Sequence, residues 1–270
     1  MDILYGFHAV EEALKSGNRK VEYLSIARER AHGGGDARLD ALLNLARARK
    51  IPVRMEPRDA LTRLAQSDQH QGAVAMARPM RALALEDLLG PEQRDPAKPL
   101  FLLALDGVED PHNLGALLRT ADGAGVTGVI LPERRSAPVN ATVAKASSGA
   151  SEHVKIARVA NLNRALDAIK ARNIWVLGLD ERGSQTYDAY NYRSDCCLVL
   201  GREGEGLHEH TRKSCDFLLQ IPMAGAVPSL NVSVAGAVVM YEAARQRRSG
   251  PGAVPAAPVK KAKPQKGLGS

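Results

Sequence analysis

Six short, almost unbroken apolar runs divide the later part of the chain, at residues 100–105, 126–131, 153–159, 174–179, 197–200 and 217–221. A strand with one wet face alternates apolar and polar residues. A strand buried on both faces need not, so runs of this kind mark a sheet covered on both sides. Stretches of helical periodicity lie between most of them, at 113–123, 162–171 and 207–213, and a last one extends from about Leu230 through Tyr241 to Arg248. Strands alternating with helices predict an α/β domain with a mostly parallel sheet and helices on both sides. Such sheets bind ligands in the crevice at the carboxyl ends of their strands.

The common phosphate cradles are missing from those ends. The turn after the first run reads Asp106-Gly107-Val108-Glu109-Asp110-Pro111, without G-x-G-x-x-G, and no G-x-x-x-x-G-K-[ST] occurs anywhere. Both motifs work by aiming backbone N–H groups at phosphate, so their absence disfavours a dinucleotide oxidoreductase and a P-loop NTPase.

Residues 1–77 read as a separate, smaller α/β unit. A helix over 6–16 closes at Gly17 and Asn18, and strands are expected at 21–27, 51–56 and 73–77. A second helix carries Leu39, Leu42 and Leu43 and ends on Arg47, Arg49 and Lys50, after a loop with Gly33, Gly34 and Gly35. Pro57 suits the start of a third helix. Residues 78–99, broken by Pro79, Pro91, Pro96 and Pro99, read as a linker with one short helical turn at 83–89. Residues 100–249 form the larger domain. Residues 250–270, rich in Pro, Ala and Lys, lack the apolar content to offset ordering entropy and are expected to be disordered.

Four of the seven net positive charges are Lys260, Lys261, Lys263 and Lys266 of that tail, so residues 1–249 carry only +3. Global charge is therefore a poor witness for nucleic acid. Any RNA contact must come from local clusters, for which Arg47, Arg49, Lys50 and Arg54 are candidates, a solvated basic face being the plain alternative. One Trp, six Tyr and three Phe, with none between Tyr23 and Phe101, argue against modules that stack bases on aromatic platforms. No apolar run reaches the length of a membrane span, and the first residues lack the charged and apolar regions of a secretory leader. Cys196, Cys197 and Cys215 form no C-x-x-C and read as buried thiols in a reducing compartment, so a cytoplasmic protein without structural metal is expected.

Three segments carry candidate chemistry. The first, Asp110-Pro111-His112-Asn113-Leu114-Gly115, opens a helix and reaches Arg119 six residues after Asn113. Capping explains Asn113 plainly, and a surface position explains Arg119. The second is Leu200-Gly201-Arg202-Glu203-Gly204-Glu205-Gly206-Leu207, whose glycines could simply form a tight turn. The third runs from Ile221-Pro222-Met223 to Ser229-Leu230-Asn231-Val232-Ser233. Ser229 could cap the last helix, whereas Asn231 inside its first turn resists that explanation, because its side chain competes with helix formation.

Taken in order, these segments resemble the SpoU/TrmH family of SPOUT methyltransferases. The N-terminal Tyr5-Gly6-Phe7-His8-Ala9-Val10 and His70-Gln71-Gly72-Ala73-Val74-Ala75 resemble that family's small substrate-binding domain, similar to ribosomal protein L30e. The resemblance spans roughly residues 3–248. It implies an α/β domain with a deep trefoil knot, S-adenosylmethionine as cofactor, and a homodimer with the subunits facing each other near the active sites. It places cofactor contacts at Leu200, Gly201, Ile221, Met223 and Leu230, and a catalytic group at Asn113, Arg119, Glu203, Ser229 and Asn231. Arg119 would remove the 2′-hydroxyl proton or clamp the adjacent phosphate, Glu203 would fix Arg119 or the knot loop, and the pattern leaves Arg202 free. The likeness is to members that methylate a guanosine 2′-hydroxyl in the peptidyl-transferase region of 23S rRNA during large-subunit biogenesis. A tRNA enzyme, an rRNA adenosine enzyme and a non-catalytic RNA-binding protein on the same fold are the alternatives.

Overall fold

The computed structural model describes residues 1–31, 36–90 and 98–249. The triple glycine 33–35, residues 91–97 of the expected linker and the tail 250–270 lie outside them.

The small domain contains β1 (Asp2–Tyr5), α1 (Phe7–Ser16), β2 (Val21–Ala27), α2 (Arg28–Ala31), α3 (Ala37–Ala48), β3 (Val53–Glu56), α4 (Arg58–Ala65) and β4 (Ala73–Ala77). Its sheet has the order β1-β4-β2-β3, with β4 antiparallel to both neighbours and β2 parallel to β3. Helix α1 buries Phe7, Ala9, Val10, Ala13 and Leu14 and stops at Gly17, whose φ of 69° is left-handed. Helix α3 starts where the Asp36 side chain accepts from the Arg38 and Leu39 amides.

Helix α5 (Leu85–Leu89) follows. The larger domain then runs β5 (Phe101–Leu105), α6 (Pro111–Ala124), β6 (Gly128–Pro132), α7 (Ala141–Ala146), β7 (Ile156–Val159), α8 (Leu162–Lys170), β8 (Trp175–Leu179) and β9 (Gln185–Thr186). It ends with β10 (Cys196–Leu200), α9 (Glu209–Ser214), β11 (Phe217–Gln220) and α10 (Val232–Arg248). All seven strands are parallel, in the order β7-β6-β5-β10-β8-β11-β9. The six apolar runs are six of these strands; β9, two residues long, has no such run.

The strand order is interleaved. Strand β10 lies between β5 and β8, and β11 between β8 and β9, so the chain returns into gaps left between earlier strands. Consecutive strands usually neighbour one another, and this domain departs from that habit in its last third. The consequence for function is that the turns after β8, β10 and β11 meet on one edge.

Both faces of the large sheet are covered. Leu114, Leu117, Leu118 and Ala121 of α6 and Val239, Met240 and Ala243 of α10 pack on one face. Leu85, Leu88 and Leu89 of α5 and Leu162, Leu166 and Ile169 of α8 pack on the other. Each fully buried leucine contributes about 2 kcal/mol. The expected linker thus supplies part of this core through α5, and Leu83 bridges to Ala157 beside β7.

The small domain docks on the segment after α6. Ala144 of α7 belongs to the small-domain core. Arg19 meets Glu152 at 2.8 Å, with both side chains almost wholly buried, and His153 meets Glu12 at 2.8 Å nearer the surface. Asn18 Nδ2 donates to the Glu152 carbonyl at 2.7 Å.

Candidate active site

The carboxyl ends of β8, β10 and β11 and the first turn of α10 enclose one pocket. Its walls are residues 179–182, 200–206, 221, 223, 228–230, 232 and 235. All five expected cofactor positions, Leu200, Gly201, Ile221, Met223 and Leu230, line it, together with Glu203 and Ser229 of the expected catalytic group.

Glycine is required where the chain crosses itself. A Cβ on Gly201 would collide with the Gly206 carbonyl and the Leu207 amide, which are backbone and cannot turn aside. Gly204 and Gly206 have φ of 78° and 71°, left-handed values that glycine adopts freely. Between them the chain makes a tight hairpin: Arg202 N donates to Gly206 O at 2.9 Å and Gly206 N to Arg202 O at 3.0 Å. Glu203 therefore stands at the hairpin tip, against the pocket.

Three catalytic candidates meet there. Asn113 Nδ2 donates to Glu203 Oε2 at 2.8 Å, and Asn231 Nδ2 donates to Glu203 Oε1 at 2.8 Å and to Asn113 Oδ1 at 3.0 Å. Asn231 Oδ1 in turn accepts from Ser233 N at 2.9 Å and Ser233 Oγ at 2.6 Å. This directional chain fixes which way both amides point. It also leaves lone pairs on Glu203 that a substrate donor can use.

Several expectations change. Asn231 precedes the first turn of α10 and is its N-cap, which removes the conflict with helix formation; exposed Ser229 does not cap. Asn113 does not cap α6, because Asp110 does so by accepting from the His112 and Asn113 amides, with Pro111 in the first turn. Glu203 holds two asparagines, and among the described residues no hydrogen bond or ion pair joins it to Arg119. Arg119 does not line the pocket: it is exposed, and among the described residues it has no hydrogen-bond or ion-pair partner. Gly115 of the Asn-x-Gly pattern serves packing, since a Cβ there would collide with Ala146 of α7.

The wall at residues 179–182 was missed by motif reading. The rule that ligands sit at the carboxyl ends of strands points to it, because it is the turn after the 174–179 run. Asp180 is buried there and accepts from the Arg182 amide at 2.9 Å. Among the described residues no group of His, Cys, Asp and Glu could hold a metal ion, and no helix is long and apolar enough to cross a membrane. The thiols are spectators, with burial pushing Cys196 up to about 11 and Cys215 up to about 12.

A parallel α/β sheet with a glycine-lined crevice at the carboxyl ends of its strands and an amide–carboxylate cluster beside it has the build of an α/β enzyme with a ligand site at that crevice. Comparison with known proteins gives the particular family. The profile of the SpoU rRNA Methylase family matches residues 100–241, and that of the RNA 2'-O ribose methyltransferase substrate-binding domain matches residues 3–82. The chain belongs to the SpoU rRNA methylase family.

Among its relatives, the 23S rRNA (guanosine-2'-O-)-methyltransferase RlmB of Pseudomonas aeruginosa is 44% identical over 247 residues, covering 90% of this chain and 96% of the relative. RlmB of Escherichia coli K12 is 40% identical over 246 residues, covering 91% and 99%. Among solved structures, the SpoU methyltransferase AviRb of Streptomyces viridochromogenes in complex with the cofactor AdoMet superposes with a TM-score of 0.75 at 25% identity, covering 92% of this chain and 91% of that one.

Proposed function

We propose that this protein transfers a methyl group from S-adenosylmethionine to the ribose 2′-hydroxyl of a guanosine in 23S rRNA. The observation that carries the reading is the convergence of Leu200, Gly201, Ile221, Met223 and Leu230 on one pocket whose mouth is closed by the Asn113–Glu203–Asn231 cluster. Relatives at 40–44% identity that span nearly the whole chain carry that activity in their names.

The pocket fits the cofactor. Its walls are glycine and main chain where close approach is needed, and the Asp180, Glu181, Glu203 and Glu205 carboxylates that line it outnumber the Arg182 and Arg202 guanidiniums, which suits a cationic ligand. When bound, S-adenosylmethionine supplies a methyl group on a sulfonium, already activated for transfer. The chain must therefore align acceptor and donor and ease the loss of a proton. Alignment of this kind supplies about 7 kcal/mol or more of barrier reduction. The Asn113–Glu203–Asn231 cluster holds the glycine hairpin against the start of α10 and leaves Glu203 lone pairs for the nucleoside. Ser229, exposed at the rim, orients the ribose.

Arg119 polarises the 2′-hydroxyl while clamping the neighbouring phosphate. A guanidinium is charged at neutral pH and forks onto phosphate, so it makes the hydroxyl more acidic instead of accepting its proton, which passes to solvent water as the oxygen takes the methyl group and the sulfonium leaves as a neutral thioether. Its exposed position outside the pocket supports a homodimer in which facing subunits complete the site. The small domain guides the RNA: Arg47, Arg49, Lys50 and Arg54 are all exposed on it, with Arg54 stacked on Tyr23 at 3.8 Å. Cytoplasmic rRNA or an assembling large subunit is the substrate.

The test is transfer of labelled methyl to 23S rRNA and tRNA transcripts, followed by mapping of the modified nucleotide. Label on a 23S guanosine ribose is expected; label on tRNA alone, or on an adenosine, overturns the substrate assignment. Failure to bind labelled S-adenosylmethionine overturns the enzyme itself.

A further inference from the structure

We infer that Arg202 is a positioning residue, which ties the glycine hairpin carrying Glu203 to the turn carrying Glu109 and so holds the Glu203–Asn113 contact in register. The inference rests on the reading of the pocket as the S-adenosylmethionine site.

Three contacts converge on this side chain. Its Nη1 donates to Glu205 Oε2 at 2.8 Å, on the same hairpin, and its Nη2 donates to Glu109 Oε1 at 3.2 Å, on the turn after β5. Its stem lies flat on Gly107, where a Cβ would stand 2.6 Å from Arg202 Cγ and 3.1 Å from Cδ. Gly107 has a φ of 88°, so glycine there provides both the turn and the room for the arginine. The backbone of Arg202 closes the hairpin through its two bonds with Gly206.

The same two loops are joined a second time by the Asn113–Glu203 hydrogen bond at 2.8 Å. Asn113 follows Glu109 by four residues, and Glu203 is the immediate neighbour of Arg202. Asn113 and Asn231 both hold the hairpin through the one Glu203 carboxylate, about which it can pivot; the Arg202 link, on a separate side chain, fixes its orientation. A partly exposed ion pair contributes little stability by itself, about 1 kcal/mol or less. The strap therefore acts on alignment more than on folding. A lysine cannot reproduce it, because an ammonium does not present two donors in a planar fork.

The test measures S-adenosylmethionine affinity by calorimetry, methyl-transfer kinetics and thermal unfolding on the full chain. Arg202→Ala is expected to raise the Kd about fivefold and to lower kcat at saturating cofactor about tenfold, with Tm shifted by less than about 2 °C. Arg202→Lys should recover less than half of the loss. Glu109→Gln, an isosteric change at an exposed position, should cost about threefold, and adding it to Arg202→Ala should cost nothing more, because the pair is already broken. Wild-type binding of cofactor with Arg202→Ala within twofold of wild type in both Kd and kcat overturns the strap alone. So does a double variant whose loss is the product of the single losses. Wild-type protein that does not bind S-adenosylmethionine overturns the reading of the pocket and the strap with it.

Discussion

Asn231 donates its side-chain amide to the Asn113 carbonyl oxygen at 3.0 Å, which places the N-termini of α10 and α6 on either side of one carboxylate, Glu203. Asn231 has two jobs at once, because its Oδ1 caps α10 while its Nδ2 serves the cluster. Asn231→Ser separates them. Serine keeps a capping oxygen, so stability should change by about 0.5 kcal/mol or less. The amide donor is lost, and methyl transfer should fall about 10²-fold, as for removal of one preorganised donor. Thermal unfolding and single-turnover transfer check the two halves. A variant with an unchanged rate would show that the amide plays no part beyond the cap.

Arg119 is exposed and has no hydrogen-bond or ion-pair partner among the described residues, so truncating it should leave folding within about 0.5 kcal/mol of wild type. Arg119→Ala should nevertheless abolish transfer, with a loss of at least about 10²-fold, while S-adenosylmethionine binds with nearly unchanged affinity. Calorimetry and a transfer assay on the same preparation test both statements. Near-normal turnover removes Arg119 from the mechanism.

The two glycines of the hairpin should respond very differently to alanine. At Gly201 the added methyl meets the backbone of Gly206 and Leu207, so Gly201→Ala should cost about 2 kcal/mol or more and eliminate cofactor binding. At Gly204 nothing lies within contact distance, and only its φ of 78° resists the side chain. Gly204→Ala should cost about 1 kcal/mol and leave binding within a few-fold. Denaturant unfolding and calorimetry of both variants distinguish them, and equal behaviour would contradict the crossing at Gly201.

The parallel sheet was legible because strands buried on both faces need no polar residues; 196–200 is wholly buried in the structure, and its sequence Cys-Cys-Leu-Val-Leu is wholly apolar. Strand β1 gave no such signal, since its four residues, Asp-Ile-Leu-Tyr, are half buried and too short for a period to show. The pocket wall was legible through resemblance alone, because glycine and small residues such as Gly201, Gly204 and Gly206 read equally well as a tight turn. What adjacency in sequence concealed was direction. Asn113 and Arg119 share a helix, yet six residues at about 100° each leave them about 120° apart around its axis, so they point in different directions. Helical geometry applied to that spacing separates them before any coordinates are seen. The role of Asn231 turned on a helix start placed one to two residues early. Arg202 was invisible, because its partners Glu109 and Gly107 lie far from it in sequence and only the strand order brings β5 beside β10.

The pair Arg19–Glu152 joins the two domains, and its pH behaviour runs against intuition about ion pairs. Burial raises the Glu152 carboxyl above its ordinary value of 4.5, and the attraction of Arg19 and His153 does not fully offset that, with Asp2 adding repulsion. The Arg19 Nε lies 2.8 Å from a Glu152 carboxylate oxygen, so the guanidinium favours the ionised form while burial disfavours it more. A carboxyl raised in the fold binds more protons folded than unfolded. Its contribution is therefore complete below about pH 4.5 and is lost as pH rises through the folded value. Glu152→Gln mimics the protonated form, and Arg19 keeps Asp2 as a partner at 3.0 Å. The variant should match wild type in acid and gain on it as pH rises above about 4.5. Urea unfolding across that range measures the difference. A variant that instead loses ground as pH rises would show that the Arg19 charge outweighs burial, and that the ionised pair holds the domains together.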